Sequence, residues 1–420
     1  MTTLESSRVD QMSPRERSEH FNAHRYQTPG HEGWEQVATP GAPNKYLMIS
    51  ADCHVTEPPN LWVERIDERY RSRLPRIEVD ANGVKWSVVE GYAPIKIRDL
   101  KMEGEDQERA NVGKGNPEER LKDHARDGID AEVIFPNRGL NMWATPDPIF
   151  SQAMCRVYND YAWETFGPYY DRMRPLAAIA TGNIDSAIEE IERVAKLGFK
   201  GLSLPCKPMW GPGTSEDANY NNPDYDRLWA CIQDLDLPMT FHVSTGKDPR
   251  GAKGNGGAVI NYVIHSLAPT AEPIVHLCSS GILDRFPKLR FASIEAGIGW
   301  VPWMLRAMDE AYEHHHFWVF PKLDLMPSEY FRRNGAASFQ EDPPGVDLVE
   351  KYELEGNFMW ANDYPHHEGS WPHSEQAIER TMGGLTDDQR TRILGLNAAR
   401  FFDFDVERLL AYRSAATAQA

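Results

Sequence analysis

Eight short β-type runs, most of them followed by a helical pattern, recur between residues 45 and 363, and this alternation restricts the fold more than any other feature. The runs are KYLMISADCH (45–54), GIDAEVIFPN (128–137), MRPLAAIATG (173–182), FKGLSLP (199–205), LPMTFHV (237–243), KLRFASIEAG (288–297), NGAASFQED (334–342) and GNFMWAND (356–363). Segments such as DSAIEEIERVAKLG and GWVPWMLRAMDEAYEHH lie between them, with apolar residues at three- and four-residue spacing. Strand alternating with helix is the mark of a parallel sheet, because parallel neighbours need a crossover. Eight such strands predict an α/β fold of the closed (β/α)8 type, the TIM barrel, with functional groups at the C-terminal ends of the strands.

Residues 1–44 lack apolar periodicity and end in the Pro/Gly-rich ATPGAPNK, so they read as an N-terminal arm. The barrel is expected over 45–404, followed by a C-terminal tail over 405–420. An inserted segment of about 60–120 separates the first two strands, and within it β-rich runs flank Ala81-Asn82-Gly83, which predicts a hairpin. Gly198 and the DRFP turn are placed to stop two of the helices.

A net charge of -18 without a long basic run argues against a nucleic-acid or anionic-membrane partner and leaves small molecules or proteins. Five scattered cysteines without a CxxC pair, and a polar N-terminus without an apolar signal core, read as a cytoplasmic protein. No window approaches a membrane span.

Asp52 and His54 end the first strand two residues apart, which places them on one face. His242 ends the fifth strand, Glu295 the sixth and Asp363 the eighth. In a closed barrel the first and eighth strands are neighbours, so these residues converge. Two imidazoles and two carboxylates around one point suit Zn²⁺ or Mn²⁺ with positions left for water and substrate. Each has a plainer account: His242 as a core histidine, Asp363 as a turn cap before Tyr-Pro, Glu295 as a helix cap. Chance placement at four strand ends is the harder reading to sustain.

The pieces ADCHVTEPP, GIDAEVIFP, PMTFHVSTG, SSGILDRFPKLRFASIEAGIGWVPWML, WANDYPHHEGSWP and ILGLNAARFF resemble the amidohydrolase superfamily, in its amidohydrolase-related branch of metal-dependent aminocarboxymuconate-semialdehyde, resorcylate and carboxyvanillate decarboxylases. The resemblance spans roughly residues 46 to 404. It implies a barrel with one divalent metal per chain, zinc first and manganese as the alternative, held by Asp52, His54, His242 and Asp363. It also implies that Asp363 moves a proton, and that the chain is a homo-oligomer, dimer or tetramer. One departure stands out: where the decarboxylases usually carry a histidine after the sixth strand, this chain has Glu295-Ala296-Gly297.

A metal-bound water of lowered pKa would make such a site a hydrolase of an amide, ester, lactone or activated C–C bond, with Asp363 and Glu295 moving the protons. That is the leading expectation from sequence, for a small, aromatic or ring-cleavage-derived substrate. The alternative is a non-oxidative decarboxylase of an aromatic or muconate-type acid on the same metal. An inactive metal-binding scaffold would betray itself by a missing ligand, and none is missing. Arg138, after the second strand, and Lys207, after the fourth, are candidates for binding a substrate carboxylate, with surface ion pairing the competing account. Trp143, Trp210 and Trp371 either line an aromatic-friendly pocket or pack in the core. His366 and His367 either contact substrate or support a ligand.

Overall fold

The computed structural model describes residues 11–28, 46–97, 101–113, 115–209, 219–246, 251–252 and 254–419. Among these the strands are β1 (Ile49–Val55), β2 (Arg76–Val79), β3 (Lys85–Val88), β4 (Ile95–Lys96), β5 (Ala131–Pro136), β6 (Met173–Pro175), β7 (Ala177–Ala178), β8 (Leu202–Leu204), β9 (Met239–His242), β10 (Phe291–Ile294), β11 (Gly335–Phe339) and β12 (Phe358–Trp360). All eight expected runs are strands. The third is split at Leu176, so that β6 pairs with β5 and β7 pairs with β8.

The parallel order is β1-β5-β6 and then β7-β8-β9-β10-β11-β12. The first and last members meet just beyond β12. There Asp363 N donates to Asp52 O at 3.1 Å and His54 N donates to Tyr364 O at 2.6 Å, with a parallel bridge between Cys53 and Tyr364. Helices cover the outside, and the strands are buried throughout, as parallel strands with both faces covered must be. Inward-facing Ile49, Val133, Leu176, Ile294 and Met359 form an inner core that is continuous with Phe401 and Phe402. Gly198 closes the helix Ile184–Leu197 in the left-handed conformation (φ 113°), where a Cβ would meet the Trp163 ring at 2.7 Å.

β2, β3 and β4 form the antiparallel insertion expected around Ala81-Asn82-Gly83. Its turn is built by Asp80, whose Oδ1 accepts from Asn82 N at 2.8 Å and Val84 N at 3.0 Å. At the C-terminus, the helix Val406–Gln419 docks through Arg413, whose Nε donates to Asp130 Oδ1 at 3.0 Å.

The N-terminal arm contains structure that periodicity did not announce. Pro14–Gln27 is a helix started by a capping box between Ser13 and Glu16. Its buried residues are Ser18, Asn22 and Arg25, so the face it packs is polar and leaves no apolar stripe. No helix of the described residues is long and apolar enough to cross a membrane.

Candidate metal centre

Asp52 and His54 sit where β1 bulges: Ser50 pairs with Glu132, but the next paired residue is Cys53 with Ile134, so two residues of β1 oppose one of β5. Both side chains are buried. His54 is fixed by Nδ1, 2.9 Å from Pro136 O, and His242 by Nδ1, 2.7 Å from Val243 O. A carbonyl only accepts, so each Nδ1 carries the proton and each Nε2 presents a lone pair. Those two Nε2 atoms lie 3.2 Å apart.

Carboxylates complete the shell. Asp52 Oδ1 is 3.3 Å from His242 Nε2 and 3.5 Å from His54 Nε2. Asp363 Oδ1 is 3.5 Å from His54 Nε2, and Glu295 Oε2 is 3.1 Å from His242 Nε2 and 3.8 Å from His54 Nε2. Donors sharing one ion at about 2.0–2.2 Å stand about 3–3.5 Å apart, which is the spacing seen among Asp52, His54 and His242. Asp52 Oδ2 and Asp363 Oδ2 are buried without a hydrogen-bond partner. Facing lone pairs beside orphaned buried carboxylate oxygens repel one another, and a divalent cation removes the conflict. The residues present therefore fit such an ion.

Glu295 and Asp363 leave their strands with positive φ, 62° and 53°. Bulky residues rarely adopt this conformation, and the surrounding hydrogen bonds hold it: Glu295 N donates to Ser338 Oγ at 3.0 Å, Asp363 N to Asp52 O. Burial, with the charges of Asp363 and Asp52 added, pushes the Glu295 carboxyl well above the usual range. Burial likewise lifts Asp363 to about 6, against the opposing effect of His366. His54 is pushed well below the ordinary histidine value by burial, with His366 and His242 adding to it.

His366 joins this group: its Nδ1 is 2.9 Å from Asp363 Oδ1, and its ring stacks on His54 with centroids 4.0 Å apart. His367 faces away, more exposed and paired with Glu368 at 2.8 Å. The loop that carries both is gripped through its carbonyls. Arg25 Nη1 donates to Gly369 O at 2.8 Å and Arg109 Nη2 to His367 O at 2.8 Å.

A cavity of about 260 Å³ opens on Asp52 and Glu295, walled by Tyr262, Ser338, Phe339 and Asp342 among others. Tyr262 and Ser338 were not foreseen. Tyr262 comes from a helical segment far from any strand end, and no pattern in GNGGAVINYVIHS marks it. Ser338 had a signal, since it stands in the seventh strand run close to its C-terminal end.

The other expected contacts fall elsewhere. Arg138 is exposed and lines a separate cavity of about 900 Å³ with Glu57 and Tyr161. Lys207 is half-buried on the segment after β8, against Gly246, and is not among the residues walling the Asp52 cavity. Trp143 and Trp371 are core residues rather than pocket walls, because each indole N–H is satisfied inside, by Ile179 O at 2.9 Å and by Asp123 O at 3.0 Å. Trp210 lies outside the described residues.

A model of the amidohydrolase family matches residues 51–404. The chain belongs to that family. Among its amidohydrolase relatives, a gamma-resorcylate decarboxylase of Rhodococcus jostii (strain RHA1) is 27% identical over 312 residues, spanning 68% of this chain and 87% of the relative. An amidohydrolase from Mycobacterium avium subsp. paratuberculosis K-10 has the same fold with a TM-score of 0.70 at 20% identity, covering 86% of this chain and 99% of that one. A dihydroxybenzoic acid decarboxylase from Polaromonas sp. JS666, solved with bound manganese and the inhibitor 2-nitroresorcinol, aligns with a TM-score of 0.58 at 18% identity over 87% of this chain and 99% of that one. The chain is thus an enzyme of the amidohydrolase superfamily with decarboxylase homologues.

Proposed function

We propose that this amidohydrolase is a metal-dependent, non-oxidative decarboxylase of a small aromatic carboxylic acid. The observation that carries the reading is the kinship with the Rhodococcus gamma-resorcylate decarboxylase over most of both chains. The hydrolase reading favoured from the sequence gives way to its alternative on that ground. The Asp52 cavity adds support: among the described residues, none that walls it is Lys, Arg or His, so a substrate carboxylate held there gains its positive partner from an ion.

Asp52, His54, His242 and Asp363 would hold one divalent ion, zinc or manganese, a donor set that suits both. When bound, that ion would supply the positive charge that holds the substrate carboxylate. Asp363 delivers a proton to the ring carbon that bears the carboxylate. The C–C bond then breaks, its electron pair returns to the ring and CO₂ leaves. His366, 2.9 Å from Asp363 and partly open to solvent, returns the proton. Glu295, in its protonated form, meets the substrate as a hydrogen-bond donor, which removes the repulsion that a third carboxylate would exert. Tyr262 and Phe339 supply the aromatic walls. A second copy of this chain is part of the proposal, and an exposed aromatic face supports it.

The test is CO₂ release from ortho-hydroxybenzoates, gamma-resorcylate first, by protein loaded with Mn²⁺ or Zn²⁺, beside ester and lactone hydrolysis. Release that is abolished in Asp363→Asn supports the reading. Hydrolysis without CO₂ release would restore the hydrolase.

A further inference from the structure

At the opposite pole of the barrel, where β10, β11 and β12 begin, four arginines surround one cavity of about 310 Å³. Arg290 precedes β10, Arg332 and Arg333 end the helix Pro327–Asn334 that leads into β11, and Arg400 lies in the helix Asn397–Phe402. Among the described residues no Asp or Glu lines the cavity. Arg290 pairs with Asp236 at 3.0 Å, an aspartate whose side chain is 82% exposed. The other three have no ion pair among the described residues. In a chain where acidic residues exceed basic ones by 18, so many unneutralised guanidiniums in one place call for an explanation.

Arg332, Arg333 and Arg400 are each tethered to neutral protein groups, and Arg290 is held by Phe401 O beside its aspartate. Arg290 Nη1 donates to Phe401 O at 2.7 Å, Arg333 Nη2 to Leu283 O at 2.8 Å and Arg400 Nη2 to Gly356 O at 2.5 Å. Arg332 Nη1 donates to Ser328 Oγ at 3.0 Å. Holding carbonyls does not require charge, because in the same wall Asn357 Nδ2 donates to Gly335 O at 2.7 Å and Asn397 Nδ2 to Phe358 O at 2.8 Å. The tethers fix the forks and leave Arg332 Nη2, Arg333 Nη1 and Arg400 Nη1 without a protein partner among the described residues. A lone carboxylate is satisfied by one bidentate fork, whereas free guanidinium edges of three arginines on two separate helices suit a tetrahedral group with more than one charge.

We propose that this cavity binds a phosphate-class dianion, either inorganic phosphate or the phosphoryl group of a small monoester. The site lies at the N-terminal ends of the strands, and the metal centre lies at their C-terminal ends. Occupancy therefore leaves the donors Asp52, His54, His242 and Asp363 unobstructed.

The metal-loaded protein would be titrated calorimetrically with inorganic phosphate and with phenyl phosphate, at ionic strength held constant with chloride. Saturable binding that weakens at least about tenfold in Arg333→Gln and in Arg400→Gln, both exposed positions, is the expected result. Tighter binding of phenyl phosphate would mark a monoester as the ligand, and tighter binding of phosphate the free ion. Unfolding curves of the two variants without phosphate, matched to the parent, would exclude misfolding as the cause. Binding that survives both substitutions would place the anion on the metal instead, and no saturable binding beyond chloride would also overturn the proposal.

Discussion

His54 Nε2 and His242 Nε2 face each other at 3.2 Å, each ring locked by a backbone carbonyl at its other nitrogen. Neither ring can turn its lone pair away without breaking that bond, so the pair is preorganised to share a cation. His242→Ala removes one donor and the lock together. Purified parent protein should contain about one equivalent of Mn²⁺ or Zn²⁺ by elemental analysis, and the variant close to none. Equal metal content in both would remove His242 from the ligand set.

Glu295 stands 3.1 Å from the same His242 nitrogen, in a strained turn and in a position that opens on the cavity. Glu295→Ala removes the hydrogen-bond donor that the substrate meets. Turnover should fall by roughly 10²–10³-fold while metal content stays near one per chain. If turnover survives, the residue only shapes the turn. If metal is lost as well, Glu295 is itself a ligand.

The strands and the donors at their ends were readable because both follow simple periods: apolar runs between turns, and polar residues at the ends of buried strands. Asp52, His54, His242, Glu295 and Asp363 come from four separate runs and still meet at one point. Long side chains on loops were not readable. Arg138 points into another cavity, and Trp143 and Trp371 find carbonyl partners in the core that no spacing rule reveals. The helix Pro14–Gln27 had a legible start in its Ser13–Glu16 capping box, but its polar packing face hid the rest. Tyr262 was invisible because the path of the segment between β9 and β10 depends on tertiary packing.

Behind β1, Glu132 and Arg120 form a fully buried pair, with Arg120 Nε donating to Glu132 Oε1 at 2.9 Å and Nη1 to His54 O at 2.7 Å. Burial alone would raise the Glu132 carboxyl, but the charges of Arg120 and His124 outweigh it and hold it far below the usual carboxylate range. A folded-state value below the unfolded one gives stability that is fully present above the unfolded value, near 4.3, and that is lost as pH falls through the folded value. Glu132→Gln should cost about 3–5 kcal/mol at pH 7, since Arg120 is left buried and unpaired. The loss should shrink as the pH is lowered below about 4, where the parent carboxylate loses its own advantage. Urea midpoints at pH 7 and pH 3 check both statements, and a cost that does not depend on pH would contradict the ion-pair account.

The proposal of a second copy can be argued from one face. Trp303, Phe317, Trp318 and Phe320 are 73%, 64%, 60% and 76% exposed, unusual values for large aromatic residues on a monomer. An apolar groove of about 640 Å³ runs beside Trp303, between the helices Ala271–Ser279 and Trp300–His314. At about 150–250 Å² for each aromatic side chain, these four alone present on the order of 500 Å² of apolar surface. A stable interface needs about 800 Å² from each partner, of which these rings alone supply more than half. Projecting rings and a groove on one face are what a two-fold interface requires, because each copy must offer both knob and hole. Sedimentation of the parent should therefore give a dimer or a larger even assembly. Trp303→Asp should shift it toward the monomer, because a buried unpaired carboxylate would have to be desolvated at the contact. A parent that sediments as a monomer at micromolar concentration would end the argument, and the exposed rings would then need another partner.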